Sequence, residues 1–309
     1  MVIIKGIGRI FVRCCGKNLG NTDMAKVLVT GATGFIGRHI IDYLISLGGH
    51  ELITTSIESK GDAENIFPSI KNTEYISKDL NQKEENYYSF FKSPDCLIHL
   101  SWEGLPNYYE LFHIERNLPA NFYFIKNMIQ NGLKDITITG TCFEYGMQNG
   151  CLSEDIPTAP VTYYGLAKDT LRKFIELLHN TYSFNMKWVR IFYPFGHGQN
   201  KKSLWGQMHD VIATNAKEFN MSQGEQLRDY LSVEKTAEYI VSCALQNEIT
   251  GIINCCSGKP VSVRKFVEGF FEQRGYPIKL NLGFYPYSSY EPLAFWGNIS
   301  RLSKIIETL

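Results

Sequence analysis

The chain has 309 residues, with 31 lysines and arginines against 31 aspartates and glutamates, so its formal net charge is zero. Hydrophobic residues make up 44% and charged residues 20%, which excludes disordered, collagen-like and coiled-coil chains. The balanced charge gives no electrostatic reason to expect a nucleic-acid or membrane-surface partner, and no apolar run approaches the ~18 residues of a membrane span. Eight cysteines, without a CxxC pair or metal-ligand spacing, predict a cytoplasmic protein with no metal site.

Residues 1–23 differ from the rest of the chain. Their apolar stretches are interrupted by Lys5, Arg9 and Arg13, so they lack the unbroken hydrophobic region of a secretory signal. A basic amphipathic helix lying on a membrane surface is one interpretation. We prefer a leader or an upstream start that is not part of the fold, because Met24 stands directly before the first predicted strand.

Residues 24–193 alternate short β-branched apolar runs with segments of helical length, which is typical of βαβ units. The predicted strands are Lys26–Thr30, Glu51–Ser56, Thr73–Ser77, Cys96–Leu100, Asp135–Gly140 and Met186–Phe192. The predicted helices are Phe35–Leu47, Gln82–Phe91, Tyr109–Asn131 and Tyr164–Thr181. We therefore expect an α/β dinucleotide-binding domain with a Rossmann-like, doubly wound parallel sheet, whose ligand lies beyond the carboxyl ends of the strands.

The regular alternation fails after residue 193. A loop rich in glycine and proline is followed by a second set of predicted elements. These are the helices Leu204–Lys217, Val233–Gln246 and Val263–Arg274 and the strand Gly251–Cys255. We interpret residues 194–309 as mainly a smaller, C-terminal substrate-binding lobe that caps the sheet, with some segments able to return to the sheet.

The junction between the first strand and the first helix reads TGATGFIG. Gly31 permits a tight turn, Gly34 lets the backbone approach a pyrophosphate, and Gly37 allows close packing of helix on strand. The helix N-terminus adds free N–H groups and the positive end of its dipole. Glycine triplets also occur in ordinary turns, but this position in a βαβ series favours dinucleotide binding. The expected contact residues in the loop are Gly31, Thr33, Gly34, Phe35, Ile36 and Gly37.

The end of the second predicted strand bears on which dinucleotide binds. Ser56 stands where an acidic residue would bind the 2′-hydroxyl of adenosine, and this removes the repulsion against a 2′-phosphate. Lys60 adds a favourable charge for NADP, whereas Glu58 is close enough in sequence to keep NAD possible. We therefore expect NADPH or NADH, with a slight preference for NADPH.

A second group of residues suits proton transfer. Tyr164 and Lys168 are four residues apart on one helix face, and Thr141 follows a strand at the carboxyl edge of the sheet. A phenol has an unperturbed pKa near 10, which a neighbouring cation lowers into a useful range. A YxxxK pair alone is typical of an ordinary helix surface. Its combination with the glycine loop and the strand-terminal hydroxyl predicts an active site.

These motifs resemble the extended short-chain dehydrogenases/reductases, the family of nucleotide-sugar epimerases, dehydratases and reductases. The resemblance runs from about residue 26 to the C-terminus. It is carried by TGATGFIG at 30–37, Asp79-Leu80, His99-Leu-Ser-Trp102, Asn117, Thr141, YGLAK at 164–168, Arg190, PFGHG at 194–198, Arg228-Asp229-Tyr230 and Asn254. It implies that Tyr164 is the catalytic acid/base, that Lys168 holds the nicotinamide ribose and that Thr141 polarises the substrate oxygen.

The resemblance also implies the remaining contacts of the site. Trp102 and Tyr108 are candidates to line a sugar pocket, although aromatic residues at these positions could equally pack in the core or against a loop. Arg228 would approach the nucleotide diphosphate. The expected further cofactor contacts are Ser56, Asp79, Leu80, Leu100, Ser101, Trp102, Asn117 and Lys168. The expected substrate contacts are Trp102, Tyr108, Thr141, Cys142, Tyr164 and Arg228.

The residues after Thr141 bear on the type of reaction. Dehydratases of this family carry Asp-Glu there, whereas this chain has Cys142 and Phe143, which cannot do that proton chemistry. Glu144 is one place further on and is expected to face elsewhere. Epimerases and 4-ketoreductases both move a hydride at sugar C4 with the same tyrosine and lysine. Ser56 disfavours the epimerases, which usually keep NAD bound through a carboxylate at this strand end.

Three longer strings, at 100–108, 140–147 and 151–154, resemble bacterial reductases that form dTDP-D-fucose for surface polysaccharides such as O-antigen. The expected function is NAD(P)H-dependent reduction of the C4 keto group of dTDP-4-dehydro-6-deoxy-D-glucose. A nucleotide-sugar 4-epimerase with tightly bound NAD is the alternative, and a non-catalytic dinucleotide sensor is a more remote one. Relatives dimerise through the helices corresponding to Tyr109–Asn131 and Tyr164–Thr181, so we expect a homodimer.

Overall fold

The computed structural model describes residues 24–307, so the interpretation of residues 1–23 as a leader lies outside the described residues. The strands are β1 (Ala25–Thr30), β2 (His50–Ser56), β3 (Glu74–Ser77), β4 (Cys96–His99), β5 (Asp135–Thr141), β6 (Gly150–Leu152), β7 (Asn185–Ile191), β8 (Tyr193–Phe195), β9 (Glu218–Asn220), β10 (Leu227–Ser232), β11 (Gly251–Cys255), β12 (Pro260–Ser262), β13 (Lys279–Asn281) and β14 (Phe295–Gly297). The α-helices are α1 (Phe35–Leu47), α2 (Lys60–Ile66), α3 (Tyr87–Phe90), α4 (Leu118–Gln130), α5 (Tyr163–Leu178), α6 (Leu204–Ala213), α7 (Val233–Ala244), α8 (Val263–Glu272) and α9 (Ser300–Glu307). Within residues 24–307, no helix is both long and apolar enough to cross a lipid bilayer.

Seven strands form one parallel sheet in the order β11-β7-β5-β4-β1-β2-β3. The chain moves outward from β1 to β3 and then returns to place β4 on the other side of β1. The strand order therefore reverses between β1 and β4, and a ligand crevice opens at the carboxyl ends of such strands. This topology confirms the predicted Rossmann-like, doubly wound fold.

Helices cover both faces of the sheet, so its central strands are apolar on both faces. In β1, Val27 and Val29 pack into one hydrophobic cluster with helices α1, α7 and α9, while Leu28 packs into the cluster that includes α4 and α5. This alternation follows from the period of two along a strand. Each fully buried side chain of this size stabilises the fold by about 1.5–3 kcal/mol relative to leaving it exposed.

Two predicted helices differ most from the structure, and several others end two to four residues earlier than predicted. Only Tyr87–Phe90 of the predicted helix Gln82–Phe91 is helical. The predicted helix Tyr109–Asn131 begins as α4 only at Leu118, after a π-helical turn at His113–Asn117. Proline at position 119 has no N–H to donate to the preceding turn. The turn is widened, and the N–H of Leu118 bonds to the carbonyl of His113.

The chain after residue 194 contributes to both parts of the molecule. Strand β11 pairs with β7 at the edge of the large sheet, and helices α7 and α9 pack into its core. The other segments form the sheets β12-β10-β8 and β13-β9, with α6 and α8 packed around an apolar cluster of their own. The predicted boundary between residues 193 and 194 therefore does not separate the sheet domain from the rest of the chain.

Candidate active site

A cleft runs along the carboxyl ends of the central strands. It consists of a small cavity of about 200 Å³ and a large cavity of about 710 Å³, which share Gly31, Gly34, Leu100 and Trp102 in their walls. The small cavity adjoins the glycine loop and the end of β2, whereas the large cavity lies between the end of β5, the start of α5 and the loop after β8. Among the described residues, no three side chains of metal-ligating type come together.

The glycine loop has the geometry of a phosphate cradle. Gly31 adopts a φ of +71°, and a Cβ atom on Gly37 would lie 2.1 Å from the carbonyl oxygen of Gly31, so neither position accepts a side chain without strain. Helix α1 starts after Gly34 with no side-chain cap and no acidic residue in its first turn. Its first N–H groups are thus available to an anion. These features fit the pyrophosphate of a dinucleotide.

A carboxylate enters the small cavity, contrary to the expectation drawn from Ser56. The Oγ1 of Thr33 donates to Glu58 Oε2 at 2.9 Å and lies 2.7 Å from Ser56 Oγ, and Ser56 and Glu58 both line the cavity. Lys60 begins α2, is exposed and does not line the cavity. Because a carboxylate accepts from a 2′-hydroxyl and repels a 2′-phosphate, the preference for NADPH is not supported.

Most of the other expected cofactor contacts line the small cavity. These are Leu80, Leu100, Ser101, Trp102 and Asn117. Asp79 is not among the lining residues, since its carboxylate accepts from the backbone and side-chain nitrogens of Asn81. It shapes the turn that brings Asn81 to the cavity. Sequence reasoning missed Asn81 and Lys78, which follow a short strand and carry no spacing signal.

Three residues predicted to move a proton come together at the large cavity. Helix α5 begins where Thr162 accepts from the N–H of Gly165 at 3.0 Å, and its first turns carry Tyr164 and Lys168 into the wall. Thr141 ends β5 and lines the large cavity together with Tyr164. Lys168 Nζ donates to the carbonyl of residue 139 at 2.9 Å and lies 4.2 Å from the centroid of the ring of residue 102.

Burial sets the protonation of this group. Burial raises the pKa of the Tyr164 phenol, and the hydrogen bond with Thr141 opposes that change. Burial lowers the pKa of Lys168 to about 7, while the charge of Glu144 opposes the decrease. Burial outweighs the other effects on the phenol, so the prediction that Lys168 and an oxidised nicotinamide together lower its pKa stays a prediction. At neutral pH the phenol carries its proton and can donate it to an oxygen that gains negative charge.

Aromatic rings form the wall opposite the strand ends. Trp102 and Tyr108 line the large cavity, as expected. The Tyr108 ring lies 5.7 Å from that of Tyr164 and 4.8 Å from that of Phe143, centroid to centroid. Tyr290 extends the wall, with its ring 5.8 Å from Tyr108. Sequence reasoning missed Tyr290 because it lies in an irregular segment about 120 residues after Tyr164.

Two expected substrate contacts do not line the cavity. Cys142 is 2% exposed and packs into a core cluster with Tyr145, while its neighbour Phe143 faces the cavity. The Arg228 guanidinium donates to Glu291 Oε2 at 3.0 Å and also to backbone carbonyls. It is buried and its charge is paired with Glu291, and its predicted contact with the diphosphate stays a prediction.

His113 is a further site residue that sequence reasoning missed. The indole Nε1–H of Trp102 donates to His113 Nδ1 at 3.0 Å, and His113 Nε2 lies 3.0 Å from the carbonyl oxygen of Asn107. Burial lowers the pKa of the His113 ring, which favours the neutral form able to accept from the indole. His113 therefore fixes the orientation of Trp102 beside Lys168. Only the packing of the π-helical turn reveals this contact.

The fold agrees with what is found among known proteins. The model of the NAD dependent epimerase/dehydratase family matches residues 27–256. The chain belongs to this family. An NAD(P) dinucleotide is the cofactor typical of this family, and the chain is an NAD-dependent enzyme of the oxidoreductase/epimerase class.

Individual relatives are more distant. The chain is 29% identical to a dTDP-6-deoxy-L-talose 4-dehydrogenase (NAD(+)) of Aggregatibacter actinomycetemcomitans, over 88% of this chain and 99% of the relative. It is 25% identical to a dTDP-4-dehydro-6-deoxyglucose reductase of Escherichia coli, over 78% and 79% respectively. Its fold matches a UDP-N-acetylglucosamine 4-epimerase from Methanobrevibacter ruminantium M1 with a TM-score of 0.80, at 23% identity over 92% of each chain.

Proposed function

We propose that this enzyme reduces the C4 keto group of a nucleotide-linked 4-keto-6-deoxyhexose. The proposed substrate is dTDP-4-dehydro-6-deoxy-D-glucose and the product dTDP-D-fucose, a sugar for bacterial surface polysaccharides such as O-antigen. The observation that carries the proposal is the meeting of Thr141, Tyr164 and Lys168 at one aromatic-walled cavity beside the dinucleotide cradle. The Escherichia coli relative, whose name states this reduction, supports it.

The side chains divide the proton chemistry among them. Tyr164 donates its proton to the C4 oxygen of the sugar as that oxygen gains negative charge. Thr141 Oγ1 accepts from the N–H of Phe143 at 3.3 Å, so its own proton can be donated, to the phenol oxygen of Tyr164 in the free enzyme and to the sugar oxygen when substrate is bound. The ammonium of Lys168 stabilises the tyrosinate that remains and holds the nicotinamide ribose. The bound dinucleotide supplies the hydride at C4.

The walls of the large cavity support a 6-deoxy sugar. Rings of Tyr108, Phe143 and Tyr290 form an apolar surface next to Tyr164. An apolar wall accommodates a methyl group at C6 without leaving a hydroxyl unpaired. Cys142 and Phe143 stand where a dehydratase needs an acid and a base, and Cys142 is buried away from the cavity. This supports reduction over dehydration.

For the cofactor we infer NADH rather than NADPH. The carboxylate of Glu58, held by Thr33 in the small cavity, supports a hydrogen bond to a 2′-hydroxyl. Lys78 lines the same cavity, but its ammonium is paired with Glu84, which leaves less positive charge for a 2′-phosphate. Comparison of kcat/KM for NADH and NADPH tests this inference.

The first experiment follows the absorbance at 340 nm with purified full-length protein and dTDP-4-dehydro-6-deoxy-D-glucose. NADH and NADPH are added in separate cuvettes, and the product is identified by NMR. Loss of absorbance with formation of dTDP-D-fucose is the expected result. No loss with either dinucleotide would overturn the proposed substrate.

Two other candidate reactions have support of their own. Oxidation of dTDP-6-deoxy-L-talose at C4 is supported by the 29% identical relative, and it uses the same three residues in the opposite direction. A 4-epimerase is supported by Glu58, which provides the carboxylate that Ser56 lacks. Activity that needs added NAD⁺ would identify the oxidation of dTDP-6-deoxy-L-talose. Activity with no added dinucleotide would identify the 4-epimerase.

We infer a cytoplasmic homodimer. The cysteines among the described residues are free, which supports a reducing compartment. Helix α5 exposes three large apolar side chains on the side away from the sheet, and the ring of Phe122 on α4 contacts that of Phe174. These exposed residues are Leu166, Phe174 and Leu177. Light scattering on the wild type and on Phe174→Glu tests the dimer, because a monomeric wild type would contradict it.

A further inference from the structure

A buried carboxylate lies directly behind the proton-transfer group. Glu144 is fully buried in the turn after β5. Its Oε1 accepts from the N–H of Thr141 at 2.8 Å and from Trp188 Nε1 at 2.9 Å, and its Oε2 accepts from Arg190 Nε at 2.7 Å. The Nε of Arg172 lies 3.9 Å from Oε2. One side chain therefore joins the end of β5 to β7 and α5.

The contact with Thr141 fixes the conformation of its turn. Glu144 accepts from the backbone N–H of Thr141, while the Thr141 hydroxyl accepts from the N–H of Phe143. This reciprocal pair is a capping box. The Cβ of any residue replacing Gly140 would lie 2.5 Å from Glu144 Oε1 and 2.1 Å from Trp188 Nε1. Position 140 therefore has no room for a side chain beside the carboxylate. The orientation of the threonine hydroxyl thus depends on Glu144.

The same carboxylate acts electrostatically on Lys168. The titratable groups that face Lys168 are His99 from β4, His113 from the turn before α4 and Glu144, and Tyr164 lies one turn earlier on α5. Burial lowers the pKa of both histidines, that of His99 to about 3, so neither carries charge at neutral pH. Glu144 raises the pKa of Lys168 against the effect of burial.

We propose that Glu144 is a positioning residue for proton transfer, which holds Thr141 in its reactive orientation through the backbone and whose buried charge favours the protonated form of Lys168. This inference rests on the proton relay of the proposed function. Arg190 and Arg172 hold the carboxylate in place from the opposite side. Glu144 itself does not line the cavity, so it acts through its neighbours.

The test is Glu144→Gln, which keeps the shape of the side chain and removes its charge. We expect kcat to fall roughly 10- to 100-fold with KM for the sugar changed far less, as for a misplaced reacting group. We also expect the high-pH limb of the kcat profile to move to lower pH, because Lys168 loses its proton earlier without the carboxylate. A merely structural role would lower kcat without moving this limb.

A second measurement does not depend on the identity of the sugar. The attraction between Glu144 and Lys168 stabilises the folded state while Lys168 is protonated, and it disappears as pH rises through the Lys168 pKa of about 7. The stability deficit of Glu144→Gln in urea unfolding should therefore be larger at pH 6 than at pH 9. A deficit that is the same at both pH values would overturn the electrostatic part of the proposal.

Control variants separate the two effects. Trp188→Phe removes one donor to the carboxylate but keeps its charge, so its stability deficit should not change between pH 6 and pH 9. Glu144→Asp retains the charge on a shorter arm and should keep the wild-type pH limb with reduced kcat. If Glu144→Gln does not fold, Glu144→Asp tests the proposal in its place. A shift of the high-pH limb of the kcat profile in Glu144→Asp would contradict the proposal. An inactive wild type would refute the proposed function, while the stability comparison would still decide the role of Glu144.

Discussion

The two ends of the cleft use charge in different ways. At the small cavity, Glu58 is partly exposed and is positioned by a hydroxyl, so it acts on a ligand by direct contact. At the large cavity, Lys168 and Tyr164 are 2% and 7% exposed, and burial changes their pKa values. The small cavity therefore suits recognition of a ligand by hydrogen bonds, whereas the large cavity controls which side chain carries a proton.

Removal of the proton donor at the buried end is expected to have the largest effect. Tyr164→Phe keeps the ring and its contacts with Tyr108 but loses the hydroxyl. We expect turnover to fall roughly 10²–10⁴-fold, as is usual for loss of a general acid, with dinucleotide binding unchanged. Steady-state kinetics and titration of dinucleotide binding check the two statements. Wild-type turnover in this variant would refute the assignment.

The pH dependence of the reaction probes the same end without a mutation. Lys168, with its pKa of about 7, must be a cation to stabilise the tyrosinate. Its charge is present below that pKa and is lost as pH rises, whereas the phenol, whose pKa is raised, keeps its proton. We expect kcat/KM to fall roughly 50-fold between pH 7 and pH 9, with the slope approaching one factor of ten per pH unit above pH 8. A flat profile over that range would contradict this role.

A smaller effect is expected at the exposed end. Glu58→Gln removes the charge that repels a 2′-phosphate and weakens the bond to a 2′-hydroxyl. We expect the ratio of kcat/KM for NADH to that for NADPH to fall roughly tenfold, the size of one hydrogen bond to a charged group. Lys60→Ala is the matched control and should leave the ratio unchanged, since Lys60 does not line the cavity. An equal change in both variants would contradict the role of Glu58.

The parts of the site that could be predicted from the sequence depend on short stretches of chain. The glycine loop occupies eight consecutive residues at one strand–helix junction. Tyr164 and Lys168 lie within five consecutive residues of one helix. Local spacing fixes their relative positions, because a helix or a tight turn has one geometry. The sheet could be predicted for the same reason, since each of its strands is a short apolar run.

The parts that could not be predicted depend on contacts between distant segments. Arg228 does not line the cavity and is paired with Glu291, which is 63 residues further along the chain. Glu58 accepts a hydrogen bond from Thr33, which lies 25 residues earlier in the chain. The turn after β5 directs Phe143 rather than Cys142 toward the cavity. The helix prediction over Tyr109–Asn131 failed at its start, where the proline at 119 forces a wider turn. Periodicity contains no information on such pairings.

The return of β11 to the large sheet has a consequence for how the chain is made. A growing chain that has reached only residue 245 has six of the seven strands of the large sheet. Its β7 is then an exposed edge strand, which can pair with another chain and aggregate. The edge is covered only when β11 has been synthesised, after β6, β8, β9 and β10 of the smaller sheets and before their partners β12, β13 and β14. The two parts of the molecule are therefore joined by more than one crossing of the chain, and a cut after residue 193 would give two fragments that each lack part of a core.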